Sequence, residues 1–213
     1  VIRRPALPDA PRAAENGLLT SPAAARNLDP ILEALLPALP EAGRLLEVAS
    51  GTGEHLVALA RRRPGLTCQG SEPDALRRAA VAARAEAQPN MPAPLELDAC
   101  RPGWGAAQRP VDAVLVVNLL HLISQAELSV FLDEAVQALA APGLLAIYGP
   151  FLRDGEATSP GDLAFDRHLR AQDPAIGLKD AGDLETVLGV MGLSVTRRTL
   201  PANNLLLLAR RPA

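Results

Sequence analysis

Hydrophobic positions along the chain change period several times, and each change marks an element. Ile31, Leu32, Leu35, Leu36 and Leu39 recur at helical spacing behind Asp29-Pro30, an N-cap followed by a first-turn proline, so a helix is expected to start there. Residues 44–49 read as a short buried strand that breaks into Ser50-Gly51-Thr52-Gly53, with a helix following to about Arg63. Further strands are expected over 66–70, 94–97, 111–117 and 144–148. Helices are expected from Asp74 to about Ala87 and over 125–141, where Leu128, Phe131, Leu132, Ala135, Val136 and Leu139 share one face until Pro142-Gly143 stops it. From Phe151 to about Asp180 the period fails, and the segment reads as an irregular excursion. A helix over 181–191 and strands over 193–200 and 205–209 complete the pattern.

Strand–helix alternation predicts an α/β fold with a mostly parallel sheet covered by helices on both faces. The last two strands are joined only by Pro201-Ala202-Asn203-Asn204, too short for a parallel crossover, so they must be antiparallel. Residues 1–20 mix Pro, Arg and Ala without a period and read as a loosely ordered N-terminal arm; residues 21–213 read as one domain, with no internal repeat.

Composition narrows the partners. The 213 residues suit one domain with a single good core. A formal net charge of −3 gives no electrostatic reason to expect nucleic acid. No stretch approaches a membrane span and no secretory h-region opens the chain, so neither a membrane nor export is expected. Cys68 and Cys100 form no CxxC pair, which fits a reducing, cytoplasmic setting. His55, His121 and His168 lack metal-ligand spacing and no metal is expected. A nucleophilic serine in Gly-x-Ser-x-Gly is absent.

The most informative stretch runs from Leu45 to His55. Its glycines follow a strand and open a helix, where a ligand can approach the backbone and free N–H groups. A dinucleotide fingerprint would need glycine at position 56, which is Leu56, and a phosphate loop would need a Gly-Lys-Ser/Thr ending. Glu47 at the strand's end, with Ala49, Gly51, Thr52 and Gly53 in the turn, suits a cofactor bearing a cationic amino group and a sulfonium. Nineteen residues past Gly53, Glu72 is placed to accept from both hydroxyls of a ribose, while Asp74 reads as the next N-cap. Asp98 ends the third strand, where it can accept from an adenine amino group or simply form a turn. Asn118 ends the fourth, where it can position the donor or the acceptor. His121 can act as a general base, pack over the cofactor or satisfy a carbonyl. Tyr148 offers a hydroxyl and an aromatic wall, with core packing as the alternative.

Taken together, several short runs resemble a known family. They are Ser21-Pro-Ala-Ala-Ala-Arg-Asn27 with Pro30-Ile31-Leu32, Ala49-Ser-Gly-Thr-Gly53 with His55, and Ser71-Glu72. Asn118, His121, Tyr148-Gly-Pro-Phe151 and Phe165-Asp166 continue the set, followed by Asp173-Pro174, Gly177, Lys179-Asp180 and Pro201-Ala-Asn-Asn204. In these the chain resembles the uncharacterised S-adenosylmethionine (SAM)-dependent methyltransferase-like family called domain of unknown function 938, which includes methyltransferase-like 26. It departs from the family pattern at Ala25, where Glu is usual, at Glu72 for Asp and at Lys179 for Arg.

The resemblance implies a class I, Rossmann-like fold of seven strands, and a SAM site on Glu47, Gly51, Gly53, Glu72 and Asp98. It further implies that Arg26, Asn27, Asn118, Tyr148, Asp166 and Asn203 face the pocket. The expected function is SAM-dependent methyl transfer to an unidentified small-molecule acceptor, giving S-adenosylhomocysteine (SAH), with His121 and Tyr148 as catalytic candidates. The alternative is a non-catalytic SAM- or SAH-binding protein; a nicotinamide enzyme is disfavoured by Leu56 and Glu47.

Overall fold

The structure, a computed structural model, describes residues 5–14 and 17–213. A short antiparallel pair, β1 (Arg12–Ala13) and β2 (Leu19–Thr20), precedes helix α1 (Pro22–Leu35). There follow β3 (Ala42–Val48), α2 (Glu54–Arg62), β4 (Gly65–Gly70), α3 (Ala75–Ala85), the one-turn α4 (Trp104–Ala107), β5 (Val111–Val117) and α5 (Gln125–Ala138). Then come β6 (Leu139–Gly149), β7 (Phe151–Leu152), α6 (Pro160–Gln172), β8 (Lys179–Asp180), α7 (Ala181–Val190), β9 (Ser194–Thr199) and β10 (Leu205–Arg211). The main sheet has the order β4-β3-β5-β6-β10-β9. Its first four strands are parallel, and β10 runs antiparallel between β6 and β9.

Successive strand residues point to opposite faces, and both faces are buried. On β3, Leu45 packs among Ile31, Leu35, Leu56 and Leu59 from α1 and α2, while Leu46 packs on the opposite side with Phe131 and Leu132 of α5. On β5, Ala113 and Leu115 join the first group, Val114 and Val116 the second. This sandwich fixes the C-terminal ends of four parallel strands at one edge, where open α/β sheets bind ligands.

Four expectations need correction. The main sheet has six strands rather than seven. The expected third strand is reduced to one bridge, Ser71 with Leu95, where Leu95 N–H donates to Gly70 O (2.9 Å) and Glu72 N–H to Leu95 O (3.0 Å). Pro92 and Pro94 have no N–H, so no longer ladder can build up before Leu95. Helix α1 starts at Pro22, not Pro30: Ser21 caps it by accepting from Ala24 N–H, and Pro30 lies inside the helix. The excursion after Phe151 contains α6, opened by the same signal, Ser159 as N-cap with Pro160 behind it. Helix α5 ends at Ala138, ahead of Pro142-Gly143, because Leu139 is already buried and paired with Val111 across a register shift in β6. The arm expected over 1–20 falls partly outside the described residues; its described part includes β1 and β2.

Removing either serine cap leaves helix N–H groups without partners. Ser21→Ala and Ser159→Ala are each expected to lower the unfolding free energy by about 1 kcal/mol in urea denaturation. Exposed Asp29→Ala should change it by less than about 0.5 kcal/mol.

Candidate functional site

The ends of β3, β4, β5 and β6 border a cavity of about 820 Å³, within the range of small-ligand sites. Two neighbouring strands are tied together at its floor. Ser50 N–H donates to Ser71 O (2.8 Å), Ser71 N–H to Ser50 Oγ (3.1 Å) and Ser71 Oγ–H to Glu47 O (2.9 Å). Gly51 N–H donates to Glu72 Oε2 (2.9 Å), so the carboxylate after β4 holds the turn after β3.

Within that turn Ala49 (φ 55°), Gly51 (φ 58°) and Gly53 (φ 86°) all have left-handed backbone. The two glycines serve different ends. A Cβ on Gly51 would meet no protein atom within 4 Å, so the space above it is cavity. A Cβ on Gly53 would stand 3.3 Å from the Val81 backbone of α3. Gly53 is thus required by helix packing and as the N-cap of α2, and it lies off the cavity wall.

Charge at the floor is unbalanced. Glu47, only 1% exposed, has an Oε2 with no hydrogen-bond partner among the described residues. Burial, reinforced by the carboxylates of Glu54 and Glu72, pushes its pKa up to about 8. An unpaired buried oxygen of this kind is costly and calls for a cationic donor. Glu72 accepts from Gly51 and Asp74 N–H, and burial raises its pKa. Both of its oxygens keep lone-pair capacity for hydroxyl donors. Asp98 holds its own turn by accepting from Cys100 N–H (3.0 Å) and also lines the cavity, beside Ala99 and Cys100.

The rest of the lining carries groups that can handle protons. Asn118 ends β5 in left-handed backbone (φ 58°), its N–H donating to Tyr148 O (2.9 Å). His121 is buried, with the Phe165 ring edge-on at 5.3 Å. Burial and then the Lys179 charge lower its pKa to about 3, so it is a neutral imidazole at neutral pH. No carboxylate among the described residues hydrogen-bonds to it. Burial raises the pKa of Tyr148, and the Asn27 side chain partly opposes this by hydrogen bonding. Asn27 Oδ1 also lies 2.8 Å from His55 Nε2. Arg26 pairs with Asp9, and both line the cavity.

Glu47, Ala49, Gly51, Thr52, Glu72, Asp98, Asn118, His121, Tyr148, Arg26 and Asn27 therefore share one cavity. Gly53, Asp166 and Asn203 do not line it. Asp166 instead accepts from Leu178 N–H (2.7 Å) and Arg170 Nε–H (2.7 Å), pinning the segment that leads into β8. Asn203 sits in the β9–β10 turn with φ 60°. Sequence reasoning overlooked Phe165, Asp162 and the stretch Leu7–Asp9, all on the wall. Phe165 and Asp162 became legible only once Ser159-Pro160 was recognised as a helix start. The N-terminal stretch carries no periodic signal; it is held to α6 through Ala6 O, which accepts from His168 Nε2–H (2.9 Å) and Gln172 Nε2–H (3.2 Å).

With fold and site described, comparison defines the class. The chain has the class I SAM-dependent methyltransferase fold. It superposes on an O-methyltransferase family protein from Burkholderia thailandensis with a TM-score of 0.72 at 20% identity, over 90% of this chain and 60% of that one. A putative O-methyltransferase from Nostoc punctiforme gives 0.76 at 18% identity, over 88% and 56%. Human N-acetylserotonin methyltransferase in complex with SAM gives 0.72 at 13%, over 90% and 53%. This chain thus spans little more than half the length of those proteins. Within the fold it belongs to the family described as Protein of unknown function (DUF938), whose model matches residues 19–211.

The raised Glu47 pKa has a signed consequence. Between its ordinary 4.5 and about 8 the folded chain binds a proton that the unfolded chain has lost, so stability falls as pH rises through that window. His55 and His121, depressed to about 4 and about 3, act oppositely but only below their ordinary 6.5. Between about pH 6.5 and 8 the wild type should therefore lose stability more steeply than Glu47→Gln, by up to about 1.4 kcal/mol per pH unit in denaturant titrations.

Proposed function

We propose that this chain is a SAM-dependent methyltransferase acting on a small-molecule acceptor. The observation that carries the reading is the unpartnered, buried Glu47 oxygen beside the open space over Gly51. Out of water this carboxyl group keeps its proton unless a cationic partner favours the carboxylate, and an open glycine turn admits one against the backbone. Glu47 would hold the amino group of the methionine moiety, Glu72 the ribose hydroxyls, and Asp98 the adenine amino group over Ala99 and Cys100. Ala49, Thr52 and Asn118 would complete the wall along the methionine end. When bound, SAM supplies a methyl group on a cationic sulfonium, an electrophile displaced in line to leave SAH.

Alignment and desolvation then supply most of the acceleration. Arg26 and Asn27 also line the cavity and would bound the acceptor. His121 enters neutral and has a lone pair for a proton released as the acceptor's new bond forms. Tyr148 lines the same cavity and would offer a hydroxyl. The acidic character of the chain, at net charge −3, supports a small enclosed acceptor rather than nucleic acid. Among the described residues no helix is long and apolar enough to cross a membrane.

A SAM- or SAH-binding protein without turnover is the second reading, and one observation favours it: no carboxylate among the described residues supports His121 as a base.

Calorimetric titration with SAM, SAH and NADH separates these readings from a nicotinamide enzyme. SAM and SAH are expected to bind and NADH not to; Glu72→Ala should weaken binding by about 1.5–3 kcal/mol. Failure of all three ligands would overturn both SAM readings.

A further inference from the structure

The chain has three Phe, one Tyr and one Trp, and the core uses all of them but one. Trp104, Phe131 and Phe151 are buried on one side of the sheet and Tyr148 on the other. Phe165 belongs to neither cluster; it is half-buried and lines the cavity. Within α6, Asp162, Phe165 and Leu169 lie three and four residues apart and so share one face of the helix. Leu169 is the buried residue that anchors this helix, so Phe165 gives its apolar surface to the cavity rather than to the core.

Next to it stands a second group without a structural use. His121 is 5% exposed and lines the cavity, its ring centroid 5.3 Å from that of Phe165 at an interplanar angle of 65°. Its imidazole nitrogens have no hydrogen-bond partner among the described residues. A buried polar group in that state points to a missing partner. The neutral ring has one nitrogen that accepts from an O–H or N–H.

The pair is held in place by the segment after α6. Asp166 Oδ1 accepts from Leu178 N–H (2.7 Å), and Gly177 N–H donates to His121 O (3.1 Å). Lys179 Nζ–H donates to Ile123 O (2.7 Å) and to Gly177 O (2.9 Å). Three consecutive residues thus tie α6 to the loop that carries His121. Gly177 has φ 134°, and a Cβ there would stand 2.6 Å from Asp166 Oδ1, so the tie admits no side chain. Leu122 and Ile123, the two residues after His121, add apolar lining.

We propose that Phe165 and His121 form the acceptor subsite, and that its ligand is a flat apolar ring bearing a hydroxyl or an N–H. The ring packs on Phe165, where a flat partner gains stacked or edge-on contacts that a puckered one does not. The polar hydrogen reaches His121. Calling this ligand the methyl acceptor rests on the methyltransferase reading; the subsite is a property of the protein alone.

The probe is 2-naphthol, titrated calorimetrically into the free protein and into protein saturated with SAH. Saturable binding to the SAH-loaded protein is expected. Phe165→Ala should weaken it by about tenfold, and Phe165→Tyr, which keeps a ring, should retain it. Decahydro-2-naphthol, the same skeleton saturated and puckered, should bind several-fold more weakly. In the unsubstituted protein, nuclear Overhauser effects from naphthol to a Phe ring identify Phe165, because Phe131 and Phe151 are 0% and 2% exposed. No saturable binding, binding that Phe165→Ala leaves unchanged, or naphthol contacts to no Phe ring overturns the subsite. Equal affinity for decahydro-2-naphthol overturns the flat-ring specificity. SAH binding without naphthol binding sinks this proposal alone. Naphthol on Phe165 in a protein that never binds SAH keeps the subsite and overturns the methyltransferase reading.

Discussion

β3 and β4 end as one unit, and the cavity is built on that fact. The seryl ties between Ser50 and Ser71, both reaching Glu47 O, lock the two strand ends at the same height. The Gly51–Glu72 bond then closes the floor from one turn to the next. These contacts satisfy backbone groups that the parallel ladder leaves open where its strands stop, a requirement for any buried strand end. Three consequences follow: Ala49 and Gly51 take left-handed backbone, Gly51 faces open space, and Glu47 Oε2 stays without a hydrogen-bond partner among the described residues.

That arrangement brings buried carboxyl groups and buried neutral imidazoles into one cavity. Burial makes Glu47 hold its proton more tightly, and the nearby carboxylates of Glu54 and Glu72 add to the effect. His55, next to Glu54 at the start of α2, and His121 are both held uncharged mainly by burial. A ligand that brings a positively charged group to Glu47 fits this arrangement. The N-terminal stretch around Asp9 and helix α6 close the far side, the stretch held by Ala6 to Gln172 and His168 and by Asp9 to Arg26. Any ligand larger than the cavity has to displace these exposed contacts.

The sequence carried the sheet well, because the strands hold apolar runs such as Ala113–Val117 and Leu205–Ala209 and the four residues 201–204 between the last two expected strands allow only one direction. It carried the floor of the site for a related reason: glycines and acids at strand ends are local signals. Where it failed, competing local signals were present. Asp29-Pro30 imitates a helix start, yet Ser21-Pro22 is the functioning cap and the helix simply runs through Pro30. The same Ser-Pro pair at 159–160 went unread, and with it α6 and Phe165. Asp166 and Asn203 resemble pocket residues by family pattern, but each is consumed by a local need, an Arg170 and Leu178 contact for one and a positive-φ turn for the other. The His55–Asn27 contact joins positions 28 residues apart through tertiary packing, which no local pattern encodes.

The most direct test is a crystal structure grown with SAH. The account predicts density for the amino group at Glu47, the ribose at Glu72 and the adenine beside Asp98, with the ligand passing over Gly51. Density for SAH elsewhere on the chain, or in this cavity with Glu47 still unpartnered, would contradict it.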